Sequence, residues 1–232
     1  GHREVCDRLA RHFACKSPVH MPLGELLRAL EETMSYVPSP AGADIALYDY
    51  ARMTAAYAAA LHRYAAAQDI HSAHTYEERG GEALPAFLLV SADISGIQPF
   101  IYAIPSKGAL KSLRGRSFYL EILLENIVDE ILSACGISRS ALLYTGGGHF
   151  YLLLPNTEDV QNLLTRCHTE VNSWMLEHFG SSLYLAMAWT ACTGAELAGQ
   201  GTQEAFRRVS EGLSAEKLCR YSEDQLAAMF VP

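Results

Sequence analysis

The chain has 232 residues, half of them hydrophobic and 19% charged, with a net charge of -8. That balance supports a buried core and excludes a disordered chain. Its acidity excludes a sequence-wide electrostatic grip on nucleic acid, so any phosphate contact needs a local basic patch.

The length suggests one large domain or two small ones. Residues 5 to 67 are predicted to be helical, with Leu23-Gly24-Glu25-Leu26-Leu27-Arg28-Ala29-Leu30 and the alanine-dense stretch from Tyr48 to Ala67 as the clearest cases. Pro38-Ser39-Pro40-Ala41-Gly42 breaks this region. The polar stretch from His71 to Glu82 predicts a linker, which places a boundary near residue 82 between a small all-α segment (1–82) and a second domain (83–232).

From Phe87 to Asp93 an apolar run predicts a buried central strand, and Ile94 to Ile104 a loop or short helix. Leu120, Leu123, Leu124, Ile127, Val128 and Ile131 recur at steps of three and four, predicting a helix that ends at Gly136. Two strands joined by Gly146-Gly147-Gly148 follow, then a helix over Glu158–Phe179 stopped by Gly180. Alternation from Leu183 to Trp189 predicts a fourth strand, and Gln203 to Leu218 a last helix. Strand, helix, strand, strand, helix, strand is the α+β, ferredoxin-like plan, βαββαβ, an antiparallel sheet with helices on one face. Palm domains of nucleotide polymerases and cyclases share that core, and place metal-binding acids on the hairpin where this chain has Gly148 and His149.

Asp93 closes the first strand, opposite the hairpin. It suits a divalent metal for phosphoryl transfer, or an Asx turn or helix cap. Two-metal chemistry needs further carboxylates, which the hairpin does not offer. Lys107, Lys111, Arg114 and Arg116 cluster in an otherwise acidic chain. They suit triphosphate or an RNA backbone, or else a solvated face paired with Glu121 and Glu125. His149 suits a base, a ligand or a donor near a nucleobase, or a plain surface residue. His71 and His74 lack further metal ligands nearby, and Ser95 lacks the G-x-S-x-G elbow of a serine hydrolase.

Six cysteines (Cys6, Cys15, Cys135, Cys167, Cys192, Cys219) form no C-x-x-C pair and follow no signal peptide, which favours reduced thiols and a cytoplasmic protein. No run of about 18 apolar residues is present, so no membrane contact is expected. The start, Gly1-His2-Arg3, lacks methionine and is read as that of a fragment.

Three blocks carry a resemblance. They are Asp93-Ile94-Ser95-Gly96-Ile97-Gln98-Pro99-Phe100-Ile101-Tyr102, then Ser106-Lys107-Gly108-Ala109-Leu110-Lys111-Ser112-Leu113-Arg114-Gly115-Arg116-Ser117-Phe118-Tyr119-Leu120, then Tyr144-Thr145-Gly146-Gly147-Gly148-His149-Phe150. Together, over about residues 84 to 220, they resemble the first palm of the large subunit of type III-A (Csm-type) CRISPR interference complexes. The resemblance implies a subunit with an HD nuclease domain and a second palm bearing a GGDD hairpin, which makes cyclic oligoadenylates from ATP in antiviral defence. It implies that Ser95, Gly96, Gly146, Gly147, Gly148 and His149, with Asp93, line a nucleotide pocket, and that Lys107, Lys111, Arg114 and Arg116 meet phosphate or RNA. Mg or Mn is then supplied mainly through the second palm. The implied partners are the subunit that binds the crRNA 5′ tag, crRNA and target RNA. Asp44 to Ala56 resembles the last helices of the HD domain, with Asp49 as an orphaned metal ligand or a capping residue. No His-Asp dipeptide and no GGDD sequence occurs in these residues, so neither ATP cyclisation nor DNA cutting is expected of the chain alone. The alternative is a palm that mainly scaffolds the complex.

Overall fold

A computed structural model of the chain describes residues 2–14, 22–103, 109–199, 201–221 and 226–227. Helices α1 (His2–Phe13) and α2 (Leu23–Met34) come first. A two-stranded antiparallel ribbon follows, β1 (Pro38–Ser39) and β2 (Gly42–Ala46). The segment before residue 82 is therefore not all-α as expected. The Pro/Gly break turns the chain back on itself instead of only ending a helix, and the Ser39 hydroxyl accepts from the Ala41 N–H at 3.2 Å across the turn. Helix α3 (Leu47–Ala67) follows, then α4 (Ala73–Glu78), capped by the Ser72 hydroxyl. The expected polar linker is therefore partly helical, because Ser72 supplies the N-cap that starts it.

The main sheet has the order β4-β5-β3-β6, all antiparallel, from β3 (Phe87–Ser95), β4 (Leu142–Gly146), β5 (His149–Pro155) and β6 (Tyr184–Cys192). Helices α5 (Ile97–Tyr102) and α6 (Ala109–Cys135) link β3 to β4, and α7 (Glu158–Phe179) links β5 to β6. Helices α8 (Gly194–Ala198) and α9 (Thr202–Leu218) follow β6. This is the ferredoxin-like βαββαβ plan.

Period-two alternation divides each strand between two cores. Leu88, Val90, Ala92 and Ile94, with Leu185 and Met187, pack on α6 and α7 through Leu120, Leu124, Ile131, Leu164 and Met175. Phe87 and Leu89, with Ala186 and Ala188, pack on the other side against Ala56 and Ala60 of α3 and Ala205 and Val209 of α9. The two helices of the βαββαβ unit share one face as expected. The opposite face, open in the simplest form of the plan, is covered by α3 and α9. Coverage on both sides explains why β3 reads as an unbroken apolar run. Small residues allow the close approach: a Cβ at Gly212 of α9 would lie 3.1 Å from Ala188 Cβ. Helix α3, which precedes residue 82, thus shares a core with the sheet.

The outer strand β6 would expose backbone groups toward α7. Asn172, buried in α7, donates to the Leu185 carbonyl at 2.9 Å and accepts from the Leu185 N–H at 2.8 Å, satisfying both. Among the described residues, no helix is long and apolar enough to cross a membrane.

Candidate functional site

Gly146 pairs with His149, leaving Gly147 and Gly148 as the central residues of a two-residue hairpin. Both have positive φ, 62° and 89°, as turns that follow the twist of an antiparallel ribbon require. The Gly148 carbonyl accepts from the Ile94 N–H at 2.8 Å, which hooks the turn onto the central strand. Gly147 is exposed, with nothing within 4 Å of where a Cβ would stand. Beneath it lies a cleft of about 220 Å³, lined by Ile97, Ile101, Ser117, Glu121, Thr145 and the turn glycines. The Tyr144 ring is 54% exposed on the opposite face of the sheet, 6.5 Å from the His149 ring.

Register places Asp93 directly opposite His149. Asp93 neither caps a helix nor closes an Asx turn. It lies within β3, and Lys217 at the end of α9 donates to its Oδ2 at 2.7 Å. The His149 Nδ1 lies 3.6 Å from Asp93 Oδ1, an electrostatic contact longer than a hydrogen bond, and its Nε2 is 3.1 Å from Ser91 Oγ. The His149 ring also lies 4.6 Å from the Tyr151 ring. The sequence does not single out Ser91, Tyr144 or Lys217. An acid inside an apolar strand signals that some cation must cover it, without saying which.

Burial alone would raise the Asp93 pKa, but His149 and Lys217 outweigh it and hold the carboxyl below the usual range. A group depressed in the folded state stabilises the fold above its unfolded pKa, near 4, and loses that contribution as pH falls through the folded value. Asp93→Asn is therefore expected to destabilise the protein at pH 7, with a deficit that shrinks as the pH is lowered to about 3. Urea midpoints at the two pH values check this, and an equal deficit at both would contradict it.

The other expected residues are not all gathered here. Ser95 is buried at the end of β3, paired with Tyr184 of β6. Gly96 faces the Ser182 carbonyl, so its lack of a side chain is required by the protein's own backbone. Lys107 lies outside the described residues. Lys111 and Arg114 are exposed on α6. Arg116 donates to the Phe100 carbonyl and stacks over its ring at 5.0 Å, which ties α6 to α5. Glu125, expected to pair with this cluster, pairs with Arg139. Asp49 is exposed in the first turn of α3, a position favoured by the helix dipole. His74 pairs with Glu78 at 3.3 Å.

Among the described residues, no three His, Cys, Asp or Glu side chains meet in a way that could hold a metal ion. A divalent ion does not fit at Asp93, whose two oxygens already face Lys217 and His149. Cys135 and Cys167 are pushed up to about 11 by burial, which keeps them as inert thiols.

The family model described as Csm1 subunit domain B matches residues 86–232. A CRISPR system single-strand-specific deoxyribonuclease Cas10/Csm1 (subtype III-A) of Mycobacterium tuberculosis is 42% identical over 224 residues, covering 88% of this chain and 28% of the relative. That of Thermococcus onnurineus is 36% identical over 229 residues, covering 96% of this chain and 28% of the relative. A crystal structure of a Csm1-Csm4 cassette in complex with pppApA superposes with a TM-score of 0.84 at 34% identity, over 94% of this chain and 30% of that one. Another cassette structure, in complex with AMPPNP, superposes with a TM-score of 0.81 at 34% identity, over 94% and 29%. The chain spans less than a third of each of these relatives.

Proposed function

Because this chain belongs to the Csm1 family of type III-A CRISPR systems, we propose that its palm forms one wall of an ATP pocket for cyclic oligoadenylate synthesis. The observation that carries this reading is the open glycine turn. Gly147 offers exposed backbone that a ligand can approach closely, over a cleft. The turn supplies shape and backbone groups but no acid, and phosphoryl transfer requires charge neutralisation at the phosphates. When bound, Mg or Mn would supply that charge, held by carboxylates of a second palm. Residues of this chain bind and orient: Gly146, Gly147 and Gly148 admit the nucleotide, and His149 stays fixed at the turn's exit. The chain alone is then inactive.

AMPPNP titrated into this chain and into the longer two-palm subunit tests the reading. Binding to the longer protein at least about tenfold tighter, 1.4 kcal/mol, is expected. Equal affinity in both would show a self-sufficient pocket, and no binding to either would remove the nucleotide role.

A second reading rests on α6. Leu110, Phe118 and Ile122 are exposed by 66%, 64% and 52% on one stripe, with Lys111 and Arg114 beside them. This face suits a neighbouring subunit of the kind that forms the Csm1-Csm4 cassettes, with crRNA or target RNA held alongside. The double variant Lys111→Glu, Arg114→Glu should then lose co-elution with that subunit while keeping AMPPNP affinity, and intact co-elution would exclude this face.

A further inference from the structure

The last turns of α9 are fixed on the sheet at two adjacent residues. Glu216 accepts from the Tyr184 hydroxyl at 3.3 Å and lies 3.5 Å from His168 Nε2. Lys217 reaches Asp93 Oδ2 at 2.7 Å. The Asp93 carboxylate is 22% exposed and Lys217 37%, so both charges are partly withdrawn from water and neither has the freedom of a surface pair. The close contact between Gly212 and Ala188 holds the helix down one turn earlier. The ammonium is thus delivered by a helix with independent anchors, not by a loose side chain.

We propose that Lys217 is the resident counter-cation of Asp93, occupying the place where a metal-dependent palm would hold a divalent ion, and that through Asp93 it positions His149 at the exit of the glycine turn. A carboxylate only accepts, so a proton on His149 Nδ1 faces Asp93 and leaves Nε2 to accept from the Ser91 hydroxyl. One strand-centre acid, one lysine, one histidine and one serine then form a chain that runs from α9 across β3 to the hairpin. A tethered ammonium supplies a fixed single charge and takes up no coordination site, so this palm holds its turn in shape whatever the metal concentration. The counter-cation role stands on the geometry of the chain, whereas the value of positioning His149 for a ligand rests on the nucleotide reading above.

The test is NMR on the 232-residue chain with Mn²⁺ as the probe, comparing wild type, Asp93→Asn, Lys217→Met and Lys217→Arg. In wild type, Mn²⁺ is expected to cause no line broadening at Ser91 or His149 that Asp93→Asn removes. The His149 ring should show a single Nδ1–H tautomer, which is lost in Lys217→Met and restored in Lys217→Arg. Asp93-dependent broadening in wild type would overturn the proposal, as would an unchanged tautomer in Lys217→Met. Should Lys217→Met fail to fold, the Mn²⁺ comparison of wild type with Asp93→Asn still decides, and Lys217→Arg must keep the wild-type ring pattern. Separately, AMPPNP titration of the two-palm subunit reports on the nucleotide reading. Absent AMPPNP binding beside a metal-free Asp93 would remove that reading and leave Lys217 as counter-cation.

Discussion

Gly96→Ala is expected to destabilise the protein by roughly 3–5 kcal/mol, a large share of the total for a domain of ordinary stability. Gly96 has φ of 91°, where an L residue is strained, and its Cβ would stand 1.9 Å from the Ser182 carbonyl oxygen. That oxygen belongs to the backbone leading into β6, so it cannot swing aside as a side-chain end could. Relief requires parting β3 from β6 at the Ser95–Tyr184 pair or moving α5, whose Phe100 N–H donates to the Gly96 carbonyl at 3.0 Å. Helix α5 also carries Ile97, which packs under Gly148, so the damage reaches the glycine turn. Urea denaturation measures the loss. A cost below about 1 kcal/mol would mean that the Ser182 contact is not as tight as the structure has it.

Gly147→Val is expected to do the reverse: little to the fold and much to the ligand. No atom lies within 4 Å of the added Cβ, so the penalty is confined to holding a β-branched residue at φ of 62°. That penalty is about 1–2 kcal/mol, or a few degrees in Tm. The new methyl groups project from the exposed turn into the space we assign to nucleotide, and loss of close approach should weaken AMPPNP binding at least tenfold, about 1.4 kcal/mol. Gly147→Asn separates the two effects, because asparagine tolerates the left-handed backbone while still adding bulk. It should melt near wild type and still bind more weakly.

Much of the fold was legible because its core elements carry clear periodicity. Helix α7 spans Glu158–Phe179 as expected, since Thr157 caps its start and Gly180, at φ of 58°, ends it. The periodic positions of α6, Leu120, Leu123, Leu124, Ile127, Val128 and Ile131, face the α6/α7 core. What covers the second face was not legible. A strand buried on both sides looks the same whichever helix lies over it, and α3 presents alanines there, Ala56 and Ala60, which give little contrast with its exposed alanines. The ribbon at residues 38–46 was hidden because proline and glycine mark a break without saying whether the chain re-pairs beyond it. In the site, register brought Asp93, His149 and the turn together as the hairpin reading required. Lys217 was beyond reach because its partner lies in a strand more than a hundred residues earlier, and a Glu-Lys pair at a helix end reads as solvated surface. Arg116 shows the opposite: a residue that fits a phosphate site by composition is tied to Phe100.

A glycine turn that faces nucleotide must lose affinity when its open space is filled. Isothermal titration of AMPPNP into the two-palm subunit, wild type against Gly147→Val, should show at least tenfold weaker binding by the variant with its melting temperature within a few degrees of wild type. Unchanged affinity in a folded Gly147→Val protein would contradict that role for the turn.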